Sequence, residues 1–243
     1  MFKFHFARGM RDIVGHLILI CFPVLLIAFF NFIFSGAMLQ VDMQDASLSY
    51  LTVLTIGFAL TFQIYGASVS FEVLGEDFFT PRHDRLLASP AEPRSIVIST
   101  LTVGCLVSFL QTLVVLLFAS LVLKADLGPL HLSLPIFLLS VVFNQLLGTV
   151  ILMLCRSVKT SNSILTIYGA IVPMSVGLYF PLPNNLFFEL LKTYLTPMAL
   201  ANSAILGVME GNTRVVLIGS GTLILMSLGL YAALRPLVRR LTV

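Results

Sequence analysis

Charge is what this sequence lacks: Lys, Arg, Asp and Glu make up 10% of its 243 residues, against 58% hydrophobic. A soluble domain must cover its surface with polar groups, so charge this sparse, with a mean hydropathy of +1.03, excludes one. Lipid is the solvent for most of the chain. Other absences narrow the chemistry. No G-x-x-x-x-G-K-S/T occurs, so the chain has no Walker A cradle for ATP phosphates; Gly219-Ser220-Gly221 runs on without the lysine. There is no G-x-S-x-G elbow and no H-E-x-x-H pair. His5, His16, His83 and His131 lie far apart, and Cys21, Cys105 and Cys155 form no C-x-x-C pair, so neither set reads as a metal site. The cysteines read as buried free thiols. No acid or base stands in the middle of an apolar run, which argues against a proton relay or an ion-coupled pump. With no internal repeat and no low-complexity linker, residues 1–243 form a single membrane domain, and nothing suggests a catalytic residue, a metal or a nucleic-acid partner.

What the chain does have is long apolar runs. A helix needs about 20 apolar residues to cross roughly 30 Å of hydrocarbon, with its backbone polar groups satisfied internally. Six runs qualify, at about 17–36, 50–70, 96–123, 132–155, 162–180 and 214–235. Cations are distributed unevenly about them. Lys3, Arg8, Arg11, Arg82, Arg85, Arg94, Arg156, Lys159, Arg235, Arg239 and Arg240 fall in the termini and alternate loops, while the other loops hold only Lys124, Lys192 and Arg214. Eleven of fourteen cations therefore share one side, which makes both termini cytoplasmic, as an even number of spans requires. Residues 1–16 mix cations with Phe2, Phe4, Phe6, Met10 and Ile13, the composition of an interfacial helix leading into a retained anchor rather than a cleaved signal.

Three connections read as short turns: 37–49 and 124–131 outside, and 156–161 inside. Residues 181–213 are apolar, but Pro181, Pro183 and Pro197, with Glu189 and Lys192, interrupt every candidate span. Two short helices dipping into or lying on the outer leaflet fit better, the first capped by Asn184-Asn185, the second running from about Pro197 to Val208. Glu189 and Lys192, three apart, are placed to pair at the surface.

Uncharged polar residues recur inside the spans. Ser140, Asn144 and Gly148 share one helical face, and Asn162, Thr166, Gly169 and Pro173 share another. Such faces serve either as glue between membrane helices or as the lining of a path for an apolar or amphipathic cargo. Gln63, Asn144, Asn162 and Thr166 are the candidates for the path.

The exception to the scarcity of charge is residues 71–96, FEVLGEDFFTPRHDRLLASPAEPRSI, which hold eight charged residues and His83. We read 71–95 as a cytoplasmic loop containing a short helix at about 81–89, with Thr80 as N-cap and Pro81 in its first turn. Pro90 and Pro93 stop that helix before the third span. Leu86 and Leu87 give it an apolar patch beside Arg82, Asp84 and Arg85, suited to docking on another protein.

Residues 77–100, DFFTPRHDRLLASPAEPRSIVIST, resemble the segment between the second and third helices of type-two ABC exporter permeases, where a run ending Leu-Leu-x-Ser/Thr-Pro enters the third helix. The match falls on Arg85, Leu86, Leu87, Ser89 and Pro90. Residues 196–211, TPMALANSAILGVMEG, resemble the family's segment ahead of its last helix. The resemblance implies an all-α polytopic protein with six spans, an N-terminal interfacial helix, a coupling helix seated in a cleft of the ATP-binding subunit, and two outer-leaflet helices. It also implies a second permease copy, identical or related, with ATP and Mg held by the partner ATPase. The activity it implies is export of a hydrophobic or amphipathic cargo such as a drug, peptide or lipid across a bacterial cytoplasmic membrane. Where the family carries Arg-Glu and Gly-Thr pairs ahead of the coupling helix, this chain reads FEVLGEDFFTPRHD, so which of Glu72, Glu76 and Asp77 takes the acidic role is open. A lipid-modifying membrane enzyme or a scaffold without an ATPase is the alternative.

Overall fold

The structure is a computed structural model describing residues 8–9, 12–35, 49–82, 92–179, 182–183 and 185–239. Helix α1, Ile13–Ser35, opens at Asp12, whose Oδ1 accepts the Gly15 amide at 3.0 Å. The next rod is two helices in line, α2 (Tyr50–Gly66) and α3 (Ser68–Phe78). At the joint the Ala67 N–H reaches back only three residues, to the Ile64 carbonyl at 3.2 Å, which tightens the turn. Helix α4, Pro93–Leu121, starts on a proline, whose missing N–H costs nothing in a first turn. Helices α5 (Leu130–Cys155), α6 (Val158–Val176) and α7 (Leu186–Leu190) follow, α7 continuing into a π-helical turn, Leu191–Leu195. Helices α8 (Pro197–Glu210) and α9 (Thr213–Arg239) complete the order.

Among the described residues, five stretches are long and apolar enough to cross a membrane: Ile13–Ile33, Tyr50–Phe78, Pro93–Leu121, Leu130–Cys155 and Thr213–Arg239. The chain is an all-α polytopic membrane protein. The run expected at 162–180 departs from this set. Its helix, α6, begins earlier, on the polar turn Lys159-Thr160-Ser161-Asn162-Ser163, and Gly177 at φ 82° ends it before the apolar Leu178-Tyr179.

Other boundaries move as well. The expected loop at 71–95 starts later, because α3 runs to Phe78 with Phe71, Leu74, Asp77 and Phe78 buried. The loop at 156–161 shrinks to Arg156 and Ser157. Arg156 closes α5 in the left-handed conformation, φ 51°, and the Ser157 hydroxyl accepts the Thr160 amide at 3.4 Å to open α6. The turn after α4 is tied to α2 by Thr52, whose hydroxyl donates to the Asp126 carbonyl at 2.7 Å. Most of the expected interfacial helix at 1–16 lies outside the described residues; Arg8 and Gly9 are helical.

The rod α2–α3 and helix α5 form the centre, each with 72% of its most apolar window buried, against 11% for α1 and 17% for α9. Large apolar side chains on the outer helices, such as Phe22, Leu25 and Phe32 on α1 and Leu217 and Leu225 on α9, face outward, as expected of lipid-facing surfaces. Small residues bring the backbones together. Gly148 of α5 meets Ala67 and Phe71, and a Cβ on Gly219 of α9 would stand 2.6 Å from the Leu200 carbonyl oxygen of α8.

The segment before α9 holds two short helices that differ in burial. Asn185 caps α7 through the Phe188 amide at 3.0 Å and Thr196 caps α8 through the Ala199 amide at 3.1 Å, so both helices form where proposed. Yet only α7 is exposed. Helix α8 buries Met198, Leu200, Ala204 and Ile205 against α9, α5 and α2, because its small residues at Ala199, Ala201, Ala204 and Gly207 allow close approach. Among the described residues, no ion pair joins Glu189 to Lys192.

Candidate functional site

The last turns of α3 hold three carboxylates in a chain that avoids charge, and each finds a different neighbour. Glu72 accepts a hydrogen bond from the Asn162 amide of α6 at 3.0 Å. Glu76 accepts from Arg8 at 2.9 Å and from Arg82 at 2.8 Å. Asp77 accepts from the other guanidinium nitrogen of Arg8. Arg8 is thereby a bridge: one planar fork, fixed across two carboxylates of successive residues. Burial alone would depress the Arg8 pKa, but the hydrogen bonds and charge of Asp77 and Glu76 outweigh it and hold the group above its ordinary value.

Burial ranks these pairs. The Asp77 side chain is 6% exposed and that of Arg8 16%, whereas Glu76 and Arg82 are 56% and 58% exposed. Breaking a buried pair costs about 3–5 kcal/mol, while an exposed pair contributes about 0–1. The Arg8–Asp77 contact is therefore the structural one, and Glu76–Arg82 orients the chain as it leaves α3. Thr80 continues the exit. Its hydroxyl donates to the Glu76 carbonyl and accepts the Arg82 amide at 3.3 Å, the bond expected of an N-cap two residues ahead. Asp84, Arg85, Leu86, Leu87, Ser89 and Pro90, the rest of the expected docking helix, lie outside the described residues.

The interior carries a second polar arrangement, without charge. Gln145 of α5 is fully buried, and its amide nitrogen lies 3.0 Å from the Gly66 carbonyl, 3.3 Å from the Gly104 carbonyl and 2.8 Å from the Ser108 hydroxyl. Its carbonyl accepts from Ser70. The tightened joint at Gly66–Ala67 is thus held by side chains of α4 and α5, with Ser108 adding a bond to the Gly66 carbonyl at 3.2 Å. Beside it, the Gln111 side-chain amide lies 3.0 Å from His16 Nδ1, and His16 Nε2 lies 2.7 Å from the Gly9 carbonyl. Buried amides that are this fully satisfied rigidify a bundle.

Of the four residues read as a path, Asn162 and Thr166 are neighbours one turn apart on α6, and Gln63 and Asn144 stand on other helices. Gln63 is buried and donates to Thr112 at 3.2 Å and to the Phe137 carbonyl at 3.4 Å. Asn144 is buried and bonds within its own helix, to the Ser140 carbonyl at 3.0 Å. Asn162 is half-buried on Glu72, and Thr166 is exposed, donating to the Asn162 carbonyl at 2.8 Å. The inward stripe of α6 is Ser161, Leu165, Gly169, Val172 and Val176, which leaves Thr166 facing out. Sequence reading passed over Arg8 and Asp77 as a pair, and His16, Gln111 and Gln145 as a network; a run that is apolar all round does not say which polar neighbour points inward. Among the described residues no group of three or more His, Cys, Asp or Glu side chains gathers as metal ligands, and the three cysteines are free.

Compared with known proteins, the chain matches no family model, no curated protein and no solved structure.

Proposed function

We propose that the chain is the membrane-spanning permease subunit of an ATP-driven exporter of the type-two ABC kind, set in a bacterial cytoplasmic membrane with both termini inside. Two permease copies work with two ATP-binding subunits that carry ATP and Mg. The observation that supports this most is the network Arg8–Asp77–Glu76–Arg82, which ties the segment before α1 and the end of the α2–α3 rod to the start of the 82–90 segment. A push on that segment would be delivered to a packed rod rather than lost in a soft loop. Leu86 and Leu87 dock on the ATPase, with Arg82, Asp84 and Arg85 orienting them and Ser89-Pro90 leading into α4. We count α6 as the sixth span, since 19 residues reach about 28 Å at 1.5 Å per residue.

In this mechanism ATP closes the partner subunits, the 82–90 segment passes the motion to α3 and α4, and the space between permease copies opens outward to a hydrophobic or amphipathic cargo. An ATPase shifts such an equilibrium only by contacting the two states differently, so the docking contact is indispensable. The test is to purify the chain from its native membrane under mild conditions, identify what accompanies it, and repeat with L86D/L87D. Recovery of a Walker-motif ATPase that the double variant loses is the expected result. Absence of any ATPase refutes the reading in favour of a lipid-modifying enzyme or scaffold, and an ATPase still bound to the variant refutes the docking assignment.

A further inference from the structure

At the end of the bundle where α4 begins and α9 finishes, the two helices make little contact and leave a groove of about 490 Å³. Its floor is apolar, with Val97, Leu234 and Val238 buried beneath it, and its rim carries Arg94, Arg235 and Arg239 against a single acid, Glu92. The volume falls within the range of small-molecule sites. Helix α4 brings its positive end here and α9 its negative end, so the helix dipoles offset and the side chains decide the sign of the field.

We propose that this groove seats the headgroup of an anionic phospholipid from the cytoplasmic leaflet, a role that does not depend on the exporter reading. Three observations converge on it. First, among the described residues neither Arg94 nor Arg235 meets a carboxylate at ion-pair distance; Arg235 stands 5.0 Å over the Tyr231 ring, and Arg94 lines the same groove from α4. Stacked in this way, the Arg235 guanidinium keeps its N–H fork for a phosphate, which it matches with two parallel bonds. Second, both helices are membrane spans and the groove lies at their ends, the depth of lipid headgroups. Third, the apolar floor and the exposed Ile98 beside it continue from the charged rim toward the hydrocarbon, which suits an amphiphile rather than a bare anion. Arg94 and Arg235 line the groove from its two sides, one from each helix.

The experiment uses the full chain, delipidated in neutral detergent and offered mixed micelles of phosphatidylglycerol or phosphatidylcholine with the same acyl chains, the retained lipid being counted by native mass spectrometry. Phosphatidylglycerol should be retained at least about ten-fold better than phosphatidylcholine, and R94Q/R235Q should lose that preference while R94K/R235K keeps part of it. Millimolar inorganic phosphate should leave the lipid in place. Equal retention of the two lipids by the unmodified protein overturns the proposal without recourse to any variant. So does undiminished preference in a folded R94Q/R235Q, and displacement by inorganic phosphate would make the groove a free-anion site instead.

Discussion

Replacing Arg8 with alanine tests whether a buried ion pair fastens the segment before α1 to the end of α3. The variant leaves the Asp77 carboxylate, 6% exposed, without the cation it faces. Removing one partner of a buried pair costs about 3–5 kcal/mol; because Arg8 itself is 16% exposed, the low end applies, and we expect about 3 kcal/mol. Arg82→Ala removes a pair whose members are both more than half exposed and should cost about 0–1 kcal/mol. The difference between the two is diagnostic because each removes one arginine bound to Glu76, so a generic loss of positive charge would affect them alike. A double variant, R8A/D77A, also removes the stranded carboxylate and should recover about 2 kcal/mol relative to the sum of the single changes. The chain has no tryptophan, so unfolding in detergent is best followed by far-ultraviolet circular dichroism rather than indole fluorescence. An Arg8→Ala cost no larger than that of Arg82→Ala, or single changes that add to within about 0.5 kcal/mol, would refute the reasoning.

Gln145→Ala should destabilise the bundle by about 3 kcal/mol, since it opens a space and strands the Ser70 hydroxyl, whereas Asn144→Ala, next in sequence but bonded within its own helix, should cost about 1 kcal/mol in the same unfolding measurement. Gly219→Ala places its Cβ 2.6 Å from the Leu200 carbonyl and should cost about 1–3 kcal/mol by parting α9 from α8, while Gly221→Ala meets nothing within 4 Å and should stabilise by up to about 1 kcal/mol. In a cysteine-free background, a membrane-impermeant maleimide should label Asp126→Cys on intact cells and Glu92→Cys only after permeabilisation; the reverse pattern would invert the orientation read from the cations.

The membrane class and the positions of most helices were legible because lipid imposes a single requirement, some 20 apolar residues, that shows in one dimension. The cap at Asn184-Asn185 was legible too: Asn185 accepts the Phe188 amide three residues on, a local bond that needs no tertiary knowledge, whereas Ser157 was read as loop. What failed was anything set by neighbours. Residues 71–78 read as loop because Glu72, Glu76 and Asp77 are charged; they are helical because Asn162, Arg8 and Arg82 supply partners from distant parts of the chain. Helix α8 read as a short element dipping into or lying on the outer leaflet because prolines and charges interrupt the run around it; how its small residues pack against α9 is set by neighbours that the run does not show. Asn144 read as a path residue and Gln145 only as one of the polar residues in the spans, although adjacent positions on a helix point about 100° apart and only the packing of α5 on Gly66, Gly104 and Ser108 decides which one is central.

That packing bears on where any cargo could pass. Within one chain much of the interior polarity is engaged: Gln145 bonds α2, α3 and α4 at once, Gln111 is paired with His16, and Gln63 donates to Thr112 and Phe137, although its own oxygen meets no partner among the described residues. Opening a path through that centre would strand several buried polar groups together, each at about 1–3 kcal/mol. A face that already meets the exterior carries no such cost. Helix α6 has one, where Ile164, Ile167, Ile171 and Met174 are exposed and Thr166 keeps its hydroxyl within the helix by donating to Asn162. On the exporter proposal, the path therefore runs between two copies of the chain along surfaces such as this one, and the buried network serves to keep each copy rigid while they part. Thr166→Trp would then obstruct transport without altering stability. Gln145→Ala would do the opposite, lowering the unfolding transition while the protein that remains folded still transports. Loss of stability in Thr166→Trp, or selective loss of transport in a folded Gln145→Ala, would put the path through the centre after all.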